Sequence, residues 1–438
     1  MYIKPKIGFL TVFHPFEEGA DKAQELHNSC LKSLNKLDID IINHKNPVSE
    51  ASESAVVGEH FRKKNVDAVV ILLATWSSDN LLLDLTAVCE VPIINWGLED
   101  INSGSMCGAQ QFNAVLKELE YPCTFVYKNN NLSLINMYKY FISVAMVNAL
   151  KMTKFGLIGS RTQGMSEVIC DEFSVRDVFG SRIVSIGLDI FKRSVESQNT
   201  NDYRSVLEEI KTNIRNINVT DEELEHAIKN YAALKEFIEE QELDGVTIEC
   251  YPNYMGEVCL GFSLLADEGY VGACEGDINS AILMWIMQNL SKSPVNHIDP
   301  LYLYDEDDSI VGSHCGCTSV FLADDLDAVE ISHVRLADKG VCMMYSCKPG
   351  AVTMANLIGR KGTYRMAVIT GNAIRTERAF PGTPVRVQLP FSNQAFLDLV
   401  EIGGFGHHWV VAYGDISTEL LKLGDLLEIS TLYFNNQV

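Results

Sequence analysis

Two histidines in tandem, His407 and His408, lie inside the glycine-rich stretch Gly-Gly-Phe-Gly-His-His-Trp (403–409). Far upstream stand two acids, Glu275 in Ala-Cys-Glu-Gly-Asp (273–277) and Asp299 in Asn-His-Ile-Asp-Pro (296–300). Two carboxylates and an imidazole make an oxygen/nitrogen donor set suited to a hard or borderline divalent metal such as Mn²⁺. The same carboxylates could move a proton beside that metal. Adjacent side chains on an extended backbone point opposite ways, so only one of the two histidines is expected to reach a given ion. His314, in Gly-Ser-His-Cys-Gly-Cys (312–317), is a further candidate. Structural zinc wants soft ligands in paired spacings, and this segment offers no second Cys or His pair, so zinc is not expected there.

Each of these residues also has a plainer reading. Glu-Gly-Asp can be a turn and a helix cap, with Asp277 capping a helix from Ile278 to Leu290. Asp299 precedes Pro300, and Asx-Pro is a turn signal. The histidines could satisfy backbone groups in an aromatic-flanked loop.

The elements that must position these groups follow from the pattern. The first third alternates short runs rich in Ile, Val and Leu (7–13, 39–43, 68–74 and 91–96) with segments of helical periodicity. This implies a parallel sheet covered by helices on both faces, with ligands at the carboxyl ends of the strands. His14 and Trp76 follow two of these strands. A helix near 132–151 closes the unit, and the pattern restarts at Lys154. There Thr220-x-x-Glu223 has the form of a capping box, followed by an apolar stripe from Leu224 to Ile238. After Pro294 the segments 351–357, 363–371 and 383–389 are β-rich and punctuated by Gly and Pro. The expected fold is therefore α/β, with two Rossmann-like domains of parallel sheet at 1–153 and 154–293. A mostly β domain at 294–438 carries Asp299, His314 and His408.

Bulk properties exclude several classes. A formal net charge of −23 over 438 residues argues against a nucleic-acid partner. No run approaches the roughly 18 apolar residues of a membrane span. The N-terminus does not read as a signal peptide, and the twelve cysteines include no Cys-x-x-Cys pair. Reduced thiols and a cytoplasmic location are expected. Gly156-Leu-Ile-Gly159 lacks the spacing of a dinucleotide loop, and neither a Walker motif nor a Gly-x-Ser-x-Gly elbow occurs.

The order of these motifs resembles the L-fucose isomerase / L-arabinose isomerase superfamily, in particular its shorter fucose-isomerase-like branch. The resemblance spans essentially the whole chain and is strongest over 245–315 and 400–415. Ala273-Cys274-Glu275-Gly276-Asp277 and Asp299 are similar to the Ala-Thr-Glu-x-Asp segment and following Asp that bind Mn²⁺ and exchange the proton in fucose isomerase. Cys274 stands where that family has threonine. Arabinose isomerases carry a Gly-Ser-His like 312–314 and end with a Gly-Gly-x-His-His segment echoed by 403–408. The resemblance implies that Glu275 and Asp299 are catalytic carboxylates and metal ligands, with His408 the third ligand. It implies that His314 and His407 contact substrate, with His314 an alternative fourth ligand. It also implies that Trp76 reaches the site of a neighbouring subunit. By the same resemblance the chain is a Mn²⁺-dependent aldose–ketose isomerase, with Co²⁺ or Mg²⁺ as alternative ions. It would act on an open-chain monosaccharide through an enediol(ate), as a trimer or hexamer with the active site near a subunit interface. Two other readings accompany it. One is an isomerase of an acidic, sulfonated hexose, with His14, Arg161 or another basic side chain holding the anion. The other is a non-catalytic sugar-binding or sensor protein.

Overall fold

A computed structural model describes residues 3–336, 338–378 and 382–434. The chain forms two compact units, Tyr2–Ala149 and Leu150–Val438. The first holds strands β1 (Lys6–Val12), β2 (Asp40–Asn43), β3 (Ala68–Leu73), β4 (Ile93–Gly97) and β5 (Cys123–Tyr127). Between them run helices α1 (Ala23–Leu34), α2 (Ala51–Lys63), α3 (Asn80–Thr86) and α4 (Ser105–Glu118), and α5 (Asn131–Leu150) follows. The strands form one parallel sheet in the order β2-β1-β3-β4-β5. β3 is buried along its whole length, as a continuous Val/Ile/Leu run must be when helices cover both faces of its sheet.

The second unit begins with β6 (Lys154–Ile158), α6 (Glu172–Phe179), β7 (Arg182–Ile186), α7 (Leu188–Ser197), α8 (Arg204–Asn213) and the short β8 (Asn216–Ile217). Next come α9 (Asp221–Gln241), β9 (Gly245–Ile248), α10 (Cys259–Asp267), β10 (Val271–Ala273) and α11 (Ile278–Ser291). A second parallel sheet has the order β10-β9-β6-β7. The Thr220 hydroxyl accepts from the Glu223 amide while the Glu223 carboxylate accepts from the Thr220 amide, so the capping box opens α9 as its sequence pattern requires. No helix among the described residues is long and apolar enough to cross a membrane.

The remaining strands are β11 (Val295–Tyr304), β12 (Ser309–Ser313), β13 (Glu330–Val334), β14 (Lys339–Met344), β15 (Gly350–Arg360), β16 (Thr363–Ile374) and β17 (Val385–Gln388). They are followed by α12 (Asn393–Gly403), β18 (Trp409–Tyr413), α13 (Ser417–Leu426) and β19 (Ser430–Phe434). Six strands pair antiparallel in the order β15-β18-β11-β12-β17-β16, and β16 pairs back with β15, so the sheet closes on itself; β19 adds in parallel to β16. Closure leaves the six strands without a free edge. Ile298, Met354, Val387, Trp409 and Val411 share one core inside it. α11 packs against both β10 and the barrel strands β15 and β18, and its residues from Ile278 to Met287 are all buried. A helix apolar on every side needs cover on every side, and these two sheets supply it.

Two local expectations change. Gly403 is not in a loop but ends α12, and Gly404 closes that helix in the left-handed region, its amide donating to Val400 O. Asp299-Pro300 is not a free turn: both residues belong to β11, opposite Ser313 and Gly312, with a bulge just after them. The bulge accommodates a proline that donates no ladder hydrogen bond.

Candidate active site

Glu275 sits two residues beyond the end of β10, and its φ of +67° places a non-glycine residue in the left-handed region. Gly276 follows at +73°. A Cβ on Gly276 would lie 2.3 Å from Ser160 O and 2.5 Å from Arg161 Cα, so only glycine fits this turn against the loop after β6. The Thr162 amide donates to Glu275 O at 2.9 Å and locks the turn. A left-handed glutamate costs on the order of 1 kcal/mol, and such costs concentrate at functional sites. The strained turn aims a buried carboxylate, 9% exposed, at the barrel.

His408 arrives from the barrel, just ahead of β18. Asn356 on β15 donates to both Gly406 O at 3.1 Å and His408 O at 2.6 Å, fixing the loop backbone. The His408 ring bridges two acids, with Nδ1 2.7 Å from Asp277 Oδ2 and Nε2 3.0 Å from Glu275 Oε2. Burial opposes the imidazolium, but Asp277 and Glu275 outweigh it and lift the His408 pKa to about 9. Burial likewise opposes the Glu275 carboxylate, but the neighbouring His407 and His408 imidazoles prevail and hold it well below the usual carboxylate range.

The two tandem histidines do not diverge. The chain bends at His407, the rings stand 4.1 Å apart, and His407 Nε2 also approaches Glu275 Oε2 at 3.8 Å. Its Nδ1 meets Glu167 Oε1 at 2.9 Å. The expectation of opposite directions fails because the backbone there is not extended.

Asp299 faces the same space, with Oδ1 3.9 Å from His408 Nε2 and Oδ2 3.9 Å from His314 Nε2. His314 follows β12 and is buried, stacked on His297 at 5.0 Å and 17°. His297 also meets the edge of His408 at 4.5 Å. Glu275, Asp299, His314 and His407 line one cavity of about 230 Å³, together with Met165 and Tyr251. Trp76 belongs to the other unit, after β3; its Nε1 donates to Gln111 Oε1 at 2.8 Å and its ring lies 5.5 Å from His14.

No family model matches this chain. It is similar over most of its length to several curated enzymes. The sulfoquinovose isomerase of Priestia megaterium is 23% identical over 387 residues, covering 85% of this chain and 86% of that enzyme. Sulfoquinovose isomerases of Alkalicoccus urumqiensis and a Clostridium species are each 24% identical, covering 83% and 77% of this chain and 85% and 77% of theirs. Among solved structures, an ABC transporter solute-binding protein from Burkholderia multivorans aligns at 15% identity over 66% of this chain and 94% of its own. Its TM-score of 0.18 is too low to bear on the fold. The likeness to L-fucose and L-arabinose isomerases stands on the motifs alone.

The donor set suits a divalent cation. Glu275, His314 and His408 each offer an atom within 4.8 Å of the others, as do Asp299, His407 and His408. Asp299 Oδ1 and both ring nitrogens of His314 are buried with no hydrogen-bond partner among the described residues. Buried polar atoms are rarely left so, and a cation among them would satisfy several at once.

Sequence reasoning read Asp277 as a cap alone and overlooked Glu167 and His297. Asp277 caps α11, its Oδ1 accepting from the Ser280 amide at 3.0 Å, yet its other oxygen orients His408. Glu167 reaches His407 from a short 3₁₀ turn with no motif to mark it. His297 was legible, since it stands two residues before Asp299 on one strand, and that spacing puts both on one face.

Proposed function

We propose that this chain is an aldose–ketose isomerase whose substrate is a sulfonated hexose of the sulfoquinovose kind. The reading rests on one observation above all: Glu275, held in a left-handed turn, and Asp299 both approach the buried His408 Nε2, at 3.0 and 3.9 Å. Sulfoquinovose isomerases similar to the chain across most of its length favour the sulfonated sugar over a neutral one.

Glu275, Asp299 and His408 would hold Mn²⁺, with His314 as a fourth ligand or a substrate contact. When bound, the ion would polarise the sugar's carbonyl and adjacent hydroxyl oxygens and so acidify the neighbouring C–H. The chain's own groups do the rest. A carboxylate oxygen of the Glu275/Asp299 pair takes the proton from C2, the C2–H electron pair becomes the C1–C2 double bond as the C1=O π pair moves to O1, and O1 takes up a proton. Loss of the O2 proton then forms the C2 carbonyl while the double-bond pair takes the returning proton at C1. Asp277 keeps the His408 Nδ1 proton engaged and so presents Nε2 to the site. His407 stands beside Glu275, where it can donate to a sugar oxygen.

No Lys or Arg is among the described residues lining the cavity, although a sulfonate calls for a cation. Arg161 is the candidate we favour, because its backbone packs against the Glu275–Gly276 turn. Trp76 is proposed to act from a neighbouring copy in a homo-oligomer, a trimer or hexamer.

The test is ketose formation from sulfoquinovose, glucose and L-fucose, with Mn²⁺ added. Turnover of the sulfonated sugar is expected to exceed the others. Glu275→Gln should still bind sugar yet lose isomerisation by at least about 10³-fold, as removal of a general base does. Full activity in that variant would overturn the assignment.

A further inference from the structure

His314 belongs to two clusters, and the second is built of sulfur. Cys274 Sγ and Cys317 Sγ lie 3.6 Å apart, and with a ring nitrogen of His314 they fall within 4.8 Å of one another. All three residues are buried, at 2, 4 and 4% exposure. Neither ring nitrogen of His314 has a hydrogen-bond partner among the described residues. A fourth sulfur, Cys250, lines the same cavity as Cys274 and His314.

The separations match a coordination sphere. With Zn–S bonds near 2.3 Å and tetrahedral angles, two sulfurs stand about 3.8 Å apart. The Cys274–Cys317 pair is within a few tenths of an ångström of that, so both thiolates can reach one ion without a backbone shift. The local spacing Cys315-x-Cys317 hides this, because the partner thiol comes from the turn after β10. That turn sends Cys274 to the sulfur cluster and the next residue, Glu275, to the carboxylate–imidazole cluster.

We propose that Cys274, Cys317 and His314, with Cys250 as a fourth ligand, form a separate site for a thiophilic divalent cation of the Zn²⁺/Cd²⁺ class. Soft sulfur donors select such ions over Mn²⁺ or Mg²⁺. His314 belongs to both clusters, so a cation in the sulfur site bears on the oxygen/nitrogen set as well. The site itself does not depend on the isomerase reading, and a chain that isomerises no sugar would still possess it.

The experiment uses the full chain, reduced and stripped of metal, with ¹¹³Cd²⁺ as the probe. One cadmium resonance in the thiolate-ligated region is expected, together with thiolate-to-cadmium absorption in the ultraviolet. Both should fall to background in a Cys274→Ser, Cys317→Ser double variant and persist in Glu275→Gln. A resonance confined to the oxygen/nitrogen region in the unsubstituted chain overturns the proposal, and that measurement needs no variant to fold. Thiolate absorption of undiminished strength in the folded double variant overturns it equally, since other cysteines would then be responsible.

Discussion

The two parallel sheets begin alike and end differently. In the first, β1 and β3 run out into His14 and Thr75–Trp76, and the His14 amide donates to the Thr75 hydroxyl at 2.9 Å. Phe16 beside them is 93% exposed, and no carboxylate–imidazole cluster forms in that unit among the described residues. In the second, β10 runs out into Glu275, and the barrel brings His408, Asp299 and His314 over it. A strand end becomes a chemical site when a second layer closes over it and compels its polar groups to find one another. At an open end water can satisfy the same kinds of group.

That contrast can be broken most severely at Gly276. Alanine there should cost on the order of 3 kcal/mol, from the left-handed backbone and the clash with Ser160 O, read as a fall in the urea midpoint. Stability within about 0.5 kcal/mol of the parent would mean the turn is not held as tightly as its contacts imply. Next comes Asp277→Asn. Asparagine is as good a helix cap as aspartate, so α11 should be undisturbed. Mn²⁺ affinity, followed by its electron paramagnetic resonance, should drop about 10- to 100-fold as His408 loses its orienting carboxylate. Unchanged affinity would leave Asp277 a cap and nothing more.

At the open end, Trp76→Ala should leave Mn²⁺ affinity intact and lower kcat/KM only several-fold, the expected result of losing one substrate-positioning contact. Normal turnover by a monomeric preparation of the parent would remove Trp76 from the site. The smallest effect lies on an ordinary surface pair. A hydrogen bond to Glu257, 2.8 Å away, raises the His226 pKa, with burial opposing. A raised folded-state pKa gives stabilisation that is full below about pH 6.5 and lost as pH climbs through the folded value. With the His226 side chain 55% exposed, the pair is worth no more than a few tenths of a kcal/mol. His226→Gln should therefore lower the urea midpoint slightly at pH 5.5 and leave it unchanged at pH 9.

Much of the architecture was legible because period and composition carry it. Four of the five strands of the first sheet, the capping box of α9 and the β-rich texture after Pro294 all appear as elements of the expected type. Two helices within the β-rich part, α12 and α13, escaped notice because each is short and flanked by strands. Glu275, Asp299, His314 and the tandem histidines were singled out by residue type and motif, and the structure brings all five together. Their directions were not legible. The convergence of His407 and His408 depends on a bend, and the sulfur cluster depends on a contact between residues 43 positions apart. Local spacing cannot report either.

The barrel's closure bears on how the molecule is made. β11 pairs with β18 although more than a hundred residues separate them, and the Glu275–His408 contact spans 133 positions. Pairings so distant along the chain are late rewards for a large loop-closure cost. During refolding, helical signal should therefore return well before the imidazoles meet their carboxylates, and a growing chain holds no assembled centre until its last strands have emerged.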